Sequence, residues 1–174
     1  IMPSLVGSEM CIRDSHRLDQ GTSGIVIIAK STKIHKLLQR QFINKTIQKR
    51  YSAILDGTPN KTEGEIAIPL SLDPNNPPFQ MIDLKSKKNA LTRYEVIREG
   101  KETCLVYFYP ITGRTHQLRV HSAHQRGLDA PIKGDDMYGV KSDRMYLHAD
   151  RVTFVHPLSK EKIIIECPAK FDLI

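Results

Sequence analysis

The sequence predicts an α+β domain on a mainly antiparallel β-sheet with flanking helices, and three observations predict it. Apolar and polar residues alternate through "ALTRYEVIREG" and "ETCLVYFYPITG", which meet at Glu99-Gly100 and read as an antiparallel pair. Strand-like segments come in runs, with two helical stretches set between them. The 174 residues suffice for one sizeable core, and no repeat or clear linker divides them, so one domain is expected.

The elements follow in order. "IMPSLVGSEMCIRDS" has no usable period and does not have the layout of a signal peptide. Residues 1–15 are read as a non-native leader and set aside, leaving 16–174 as the domain. "GIVIIAK" is continuous and β-branched, which predicts a strand buried on both faces. In "STKIHKLLQRQFINK", Ser31 or Thr32 can cap a helix whose inner face carries Ile34, Leu37, Leu38 and Phe42. Lys33, Lys36, Arg40 and Lys45 fall mostly away from that face and read as its solvated side. "KRYSAILDG" predicts a strand ending at the Asp56-Gly57 turn, and "GEIAIPL" a short strand broken by Pro69. "DPNNPPFQMIDLKSKKN" reads as loop, "RTHQLRVHSAHQRG" as a helix opened by Gly113 and closed by Gly127, and "DAPIKGDDMYG" as turns. "RMYLHADRVTFVHP" and "EKIIIECPA" supply the last strands.

Lys and Arg total 26 against 19 Asp and Glu, for a formal charge of +7. Such an excess favours a polyanionic partner, because phosphates reward clustered cations. Cys11, Cys104 and Cys167 are odd in number and far apart, with no Cys-x-x-Cys, so neither a disulfide framework nor a thiolate zinc site is expected. A reducing, cytoplasmic setting fits best. No apolar run approaches the ~20 residues that span a bilayer.

Reactive and basic groups concentrate in "HRLDQGTSG", "KRY" and "TGRTHQLRVH". Each has a plain reading: Asp19 and Arg17 as a turn with a local ion pair, Tyr51 as a core aromatic, Arg114 and Arg119 as exposed helix residues. As a helix, the third stretch puts His116 and Arg119 on one face and Arg114 and Leu118 on another. His116, His121 and His124 do not have His-Glu-x-x-His spacing, no carboxylate accompanies them, and the neighbouring arginines repel a cation, so a metal site is not expected. No Gly-x-Ser-x-Gly elbow and no Gly-rich phosphate loop occurs.

Taken together, "HRLDQGTSGIVIIAK", "KRYSAILDG" and "PITGRTHQLRVH" resemble the three ordered motifs of the RluA-type RNA pseudouridine synthases, and "PIKGDDMYG" and "YLHAD" resemble later segments of that family. The likeness runs over essentially all of 16–174. It implies a long, mostly antiparallel sheet with the site in a central cleft. It implies Asp19 as the catalytic aspartate, Tyr51 as the active-site tyrosine and Arg119 as the arginine whose planar fork pairs with Asp19. Tyr51 would stack on the detached uracil and help to remove its C5 proton. Leu147 would form the opposite apolar wall, and Arg17 would fill the gap left by a flipped base or hold its phosphate. His16, Thr22, Arg114 and His116 join them as RNA-binding candidates.

The implied activity is cofactor-free isomerisation of uridine in structured RNA, by a monomer. "PLSLDPNNPPFQMID" is most similar to the subgroup acting on large-subunit ribosomal RNA and the tRNA anticodon arm. Family members carry strands before His16 that this chain does not show, which marks the domain as N-terminally truncated. A glycosidase would need a second carboxylate, and none stands in the three motifs. A non-catalytic RNA-binding module would explain the charge but not the Asp–Tyr–Arg set, and the aromatic pair or Gly-x-x-Gly loop of the common modules is not seen.

Overall fold

The sheet is organised around two long strands. In this computed structural model, which describes residues 13–14, 17–87 and 89–171, they are β4 (Gln48–Asp56) and β9 (Thr103–Pro110). They pair antiparallel, from Tyr51 opposite Phe108 to Asp56 opposite Thr103. Around them stand β5 (Glu63–Ala67), β8 (Leu91–Glu99), β10 (Leu147–Val155) and β11 (Lys162–Glu166). The order across the sheet is β11-β10-β4-β9-β8-β5, every pair antiparallel. A short strand β2 (Ser23–Gly24) adds to β10 in parallel. Two ribbons lie outside it: β1 (Arg13–Asp14) with β3 (Ile28–Ala29), and β6 (Leu70–Leu72) with β7 (Gln80–Ile82). The expected α+β class and the β8–β9 pair are both observed.

Helix α1 (Thr32–Ile43) begins where Ser31 stops being helical and its hydroxyl accepts the Ile34 N–H, satisfying one of the orphan donors of the first turn. Its inner face delivers Leu38, with Ile34 and Phe42 alongside, onto Ile27, Ile47, Val152 and Phe154. Burying a leucine such as Leu38 contributes roughly 1.5–3 kcal/mol. The larger core gathers Ala53, Leu55, Val106, Phe108 and Leu147 with Leu118 of helix α2 (Gln117–Ala123) and Ile132 of the segment after it. Ser52, Ala53, Ile54 and Leu55 are buried in succession, so the middle of β4 is covered on both faces.

Three expectations change. "GIVIIAK" is not one strand buried on both faces: Val26 and Ile28 are 41% and 52% exposed while Ile27 and Ala29 are buried. The chain leaves β10 after Gly24 and turns to β1, so only alternate side chains meet the core. The second helix starts later than Gly113. His116 takes a left-handed φ of 52°, and the Gln117 side chain accepts from the Thr112 hydroxyl and the Arg114 N–H, holding the preceding segment out of helix. The Pro- and Asn-rich loop also contains β7. Of the stretch set aside as a leader, Arg13 and Asp14 pair with β3; the rest of that reading, with His16, lies outside the described residues.

Candidate active site

Asp19 stands on a turn closed by the Thr22 N–H on its carbonyl at 3.0 Å, with Gly21 in the left-handed region at φ 84°. Immediately after it, β2 runs beside β10 at a distance only a glycine allows. A Cβ on Gly24, already at φ 111°, would collide with the Ala149 backbone. That close approach pins the turn to the sheet. Among the described residues, the Asp19 carboxylate accepts no hydrogen bond.

Asp19 opens into a cleft of about 330 Å³. One wall is Tyr51 with Leu147, brought together because β4 and β10 are neighbours, Leu147 opposite Ala53. The other is the segment Thr112–Thr115 that precedes α2, and Arg17, Lys49 and Arg114 contribute cations. Arg17 reaches across to the Thr115 hydroxyl at 3.4 Å, and Arg114 donates to the Asn89 carbonyl at 3.3 Å. Burial, and secondarily the Asp19 charge, pushes the Tyr51 phenol up to about 12. At neutral pH it is a protonated, largely apolar plate, suited to lying against a ring. It accepts a C5 proton only if it gives up its own in the same step.

Arg119 differs from expectation twice. It is buried, not exposed, and its fork is not turned to Asp19. The Nε–H donates to Asp135 Oδ2 at 2.7 Å and an Nη2–H to Asp135 Oδ1 at 2.5 Å, with a weaker contact to Asp136 at 3.4 Å. Asp135 Oδ1 also accepts the Met137 and Tyr138 N–H groups, so this carboxylate is saturated. Burial draws the guanidinium's pKa down. The bond to Asp135 and the charges of Asp135 and Asp19 outweigh it, and the net shift is upward. Arg119 therefore acts on Asp19 through space, as a cation fixed by another acid. Neighbouring Gly134 makes that possible, since a Cβ there would run into the Arg144 backbone.

His116, expected to touch RNA, does not line the cleft. It is buried, its ring edge-on to Tyr138, and its Nδ1 lies 2.9 Å from the Tyr138 hydroxyl. That hydroxyl also accepts the Gln80 N–H at 2.7 Å, which ties His116 through Tyr138 to β7. Burial lowers the His116 pKa and Asp19 opposes the shift. His121 is fully buried, with Nε2 donating to the Ile68 carbonyl and Nδ1 accepting from Thr92. His124 Nδ1 accepts the Arg126 N–H. Thus the three histidines point to separate partners.

Two residues that shape the site escaped the sequence reading. Asp135 stood in a stretch read as turn chemistry, and nothing local announces that an acid there will hold an arginine sixteen residues back. Lys49 was within "KRY", two residues before Tyr51 on the same face of β4. That alternation was the available signal.

An antiparallel sheet carrying one carboxylate beside a tyrosine and a leucine, under a basic rim, defines a single-acid site facing a polyanion. Comparison makes the assignment specific. The model of the RNA pseudouridylate synthase family matches residues 12–124, and the chain belongs to that family. The dual-specificity RNA pseudouridine synthase RluA of Vibrio cholerae is 40% identical over 149 residues, 83% of this chain and 60% of that protein. The Escherichia coli protein of the same name is 37% identical over 162 residues, 90% of this chain and 73% of its own. The solved human RNA pseudouridylate synthase domain containing 1 superposes with a TM-score of 0.78 at 29% identity, over 92% of this chain and 70% of that one. The chain thus spans 60% of the Vibrio relative's length.

Proposed function

We propose that the protein isomerises uridine to pseudouridine in ribosomal RNA, and in transfer RNA, with Asp19 as the catalytic group. The observation that carries this reading is the Asp19 carboxylate, free of hydrogen bonds among the described residues, in a cleft walled by Tyr51 and Leu147. In the reaction the N1–C1′ bond breaks, the uracil turns over, and a C5–C1′ bond forms. The C5 proton departs to solvent and N1 takes one up, so nothing is gained or lost overall. A stacked base is out of reach, so the uridine must be flipped into the cleft at a cost of a few kcal/mol.

Each wall then has a task. Tyr51 lies against the detached uracil while it rotates; Leu147, expected on the opposite side, stands on the same wall as Tyr51 because β4 and β10 are neighbours, and helps to exclude water there. Asp19 must be ionised, whether it attacks C1′, adds to the base or takes the 2′ proton. The Arg119 cation interacts with Asp19 through space. Arg17 and Arg114 receive the backbone on either side of the flipped nucleotide. The protein works as a monomer in the cytoplasm; no helix among the described residues is long and apolar enough to cross a membrane.

Tritium release from RNA labelled at uridine C5 tests this. Asp19→Asn should abolish release while RNA binding persists. Binding without release by the unsubstituted chain would instead indicate a non-catalytic RNA-binding domain. Mapping pseudouridines in RNA from cells with and without the gene identifies the target.

A further inference from the structure

Two polar groups in the cleft have no use in the chemistry above. The Lys49 ammonium is half-buried at the base of the basic rim. Two other cations withdrawn from solvent have carboxylates: Arg50 has Asp150, and Arg119 has Asp135. Lys49 has the Phe42 ring, 6.0 Å from Nζ to centroid, and no ion pair among the described residues. Its Nζ lies 3.5 Å from where a side chain on Gly113 would begin, so the glycine leaves this cation open to the cleft. Burial lowers its pKa, with no neighbouring carboxylate to offset the effect. The second group is the hydroxyl of Thr22, a residue that lines the same cleft; this oxygen is buried and meets no hydrogen-bond partner among the described residues. A desolvated ammonium and an unsatisfied hydroxyl are both costly unless a ligand completes them.

We propose that Lys49 holds a backbone phosphate of the substrate strand entering the cleft, with the Thr22 hydroxyl donating to an oxygen of the same strand. The proposal rests on the RNA reading above. It favours phosphate because a compact, strongly hydrated ammonium suits a point contact with an anionic oxygen. Three cations, Arg17, Lys49 and Arg114, then face the strand around a single acid. Lys49 is a positioning residue, distinct from a base acting on uracil.

The experiment measures binding of an oligouridylate to the full chain across a salt series, alongside single-turnover tritium release. Lys49→Met should weaken binding about tenfold and reduce the slope of log affinity against log salt by about 0.7, the share of one phosphate on a single strand. Lys49→Arg, which keeps the charge but cannot act as a base at neutral pH, should restore both the slope and the release rate. Thr22→Val should weaken binding with the slope unchanged. Lys101→Met, at the far turn of the β8–β9 hairpin, should leave the slope alone. An unchanged slope in Lys49→Met, no rescue by arginine, or an equal loss in Lys101→Met would overturn the proposal. Because the slope is read from binding, a chain that binds but releases no tritium defeats the isomerase reading and leaves the phosphate contact standing.

Discussion

Two buried arginine–aspartate pairs invite comparison. In the sheet, Arg50 Nε donates to both oxygens of Asp150 at 2.9 and 3.2 Å, Ser52 donates to the same carboxylate at 2.6 Å, and the guanidinium lies over Tyr107. Below the cleft, Arg119 grips Asp135 and lies over Tyr138. Both hold one carboxylate beside a tyrosine ring, Arg50 through Nε alone and Arg119 through a two-nitrogen fork. They differ in what else is within reach. Asp150 answers to a serine and a strand, whereas the Arg119 charge is felt by Asp19 and His116. The Arg50 side chain keeps 20% of its surface in contact with solvent and Arg119 3%. An arginine–aspartate pair thus serves the sheet in one place and fixes a cation near Asp19 in the other.

Breaking the pairs separately should expose that difference. Arg119→Met leaves Asp135 buried and uncompensated, so unfolding measured in urea should become easier by about 3–5 kcal/mol. Tritium release per folded molecule should also fall, because the cleft loses the cation that interacts with Asp19. Release that stays unchanged per folded molecule would contradict the through-space role. Acid sharpens the contrast. The folded His121 pKa is lowered to about 4 from 6.5, by burial first. The unfolded chain therefore binds a proton that the folded chain refuses between those values. Stability contributed by neutral His121 is complete above pH 6.5 and declines by roughly 3 kcal/mol as the pH falls to 4. Urea titrations of the protein and of a His121→Gln variant should diverge across that window. Asp150→Asn should cost about 2 kcal/mol, below the Arg119 case because Arg50 can rehydrate. Release per folded molecule should survive it; a matching loss of activity would erase the distinction. Smallest is Tyr138→Phe, which removes the hydroxyl between Gln80 and His116 and should cost about 1 kcal/mol in a thermal melt.

What could be read from the sequence was whatever local chemistry decides. The Ser31 cap, the inner face of α1 and the turn between β8 and β9 depend on neighbours a few residues away, and they formed as expected. Asp19, Tyr51 and Leu147 could be singled out because ordered motifs carry them, and the fold brings all three into one cleft. The rest was set at long range. Whether "GIVIIAK" buries one face or two depends on which strands flank it. Arg119 had three acids within its eventual reach, Asp19, Asp135 and Asp136, and only the folded placement of the 132–138 segment gives its fork to Asp135. His116 read as a ligand for RNA because its left-handed backbone, which turns it inward, has no signature in composition.

Ala149 has a neighbour on each side: Gly24 of β2 across one edge and Tyr51 of β4 across the other. The backbones that present the acid's turn and the aromatic plate are thereby two strand spacings apart, about 10 Å. That interval is a lattice constant of the sheet, not a loop length. Insertions in the hairpins can reshape the mouth of the cleft while the gap between the acid's turn and the aromatic plate stays the same.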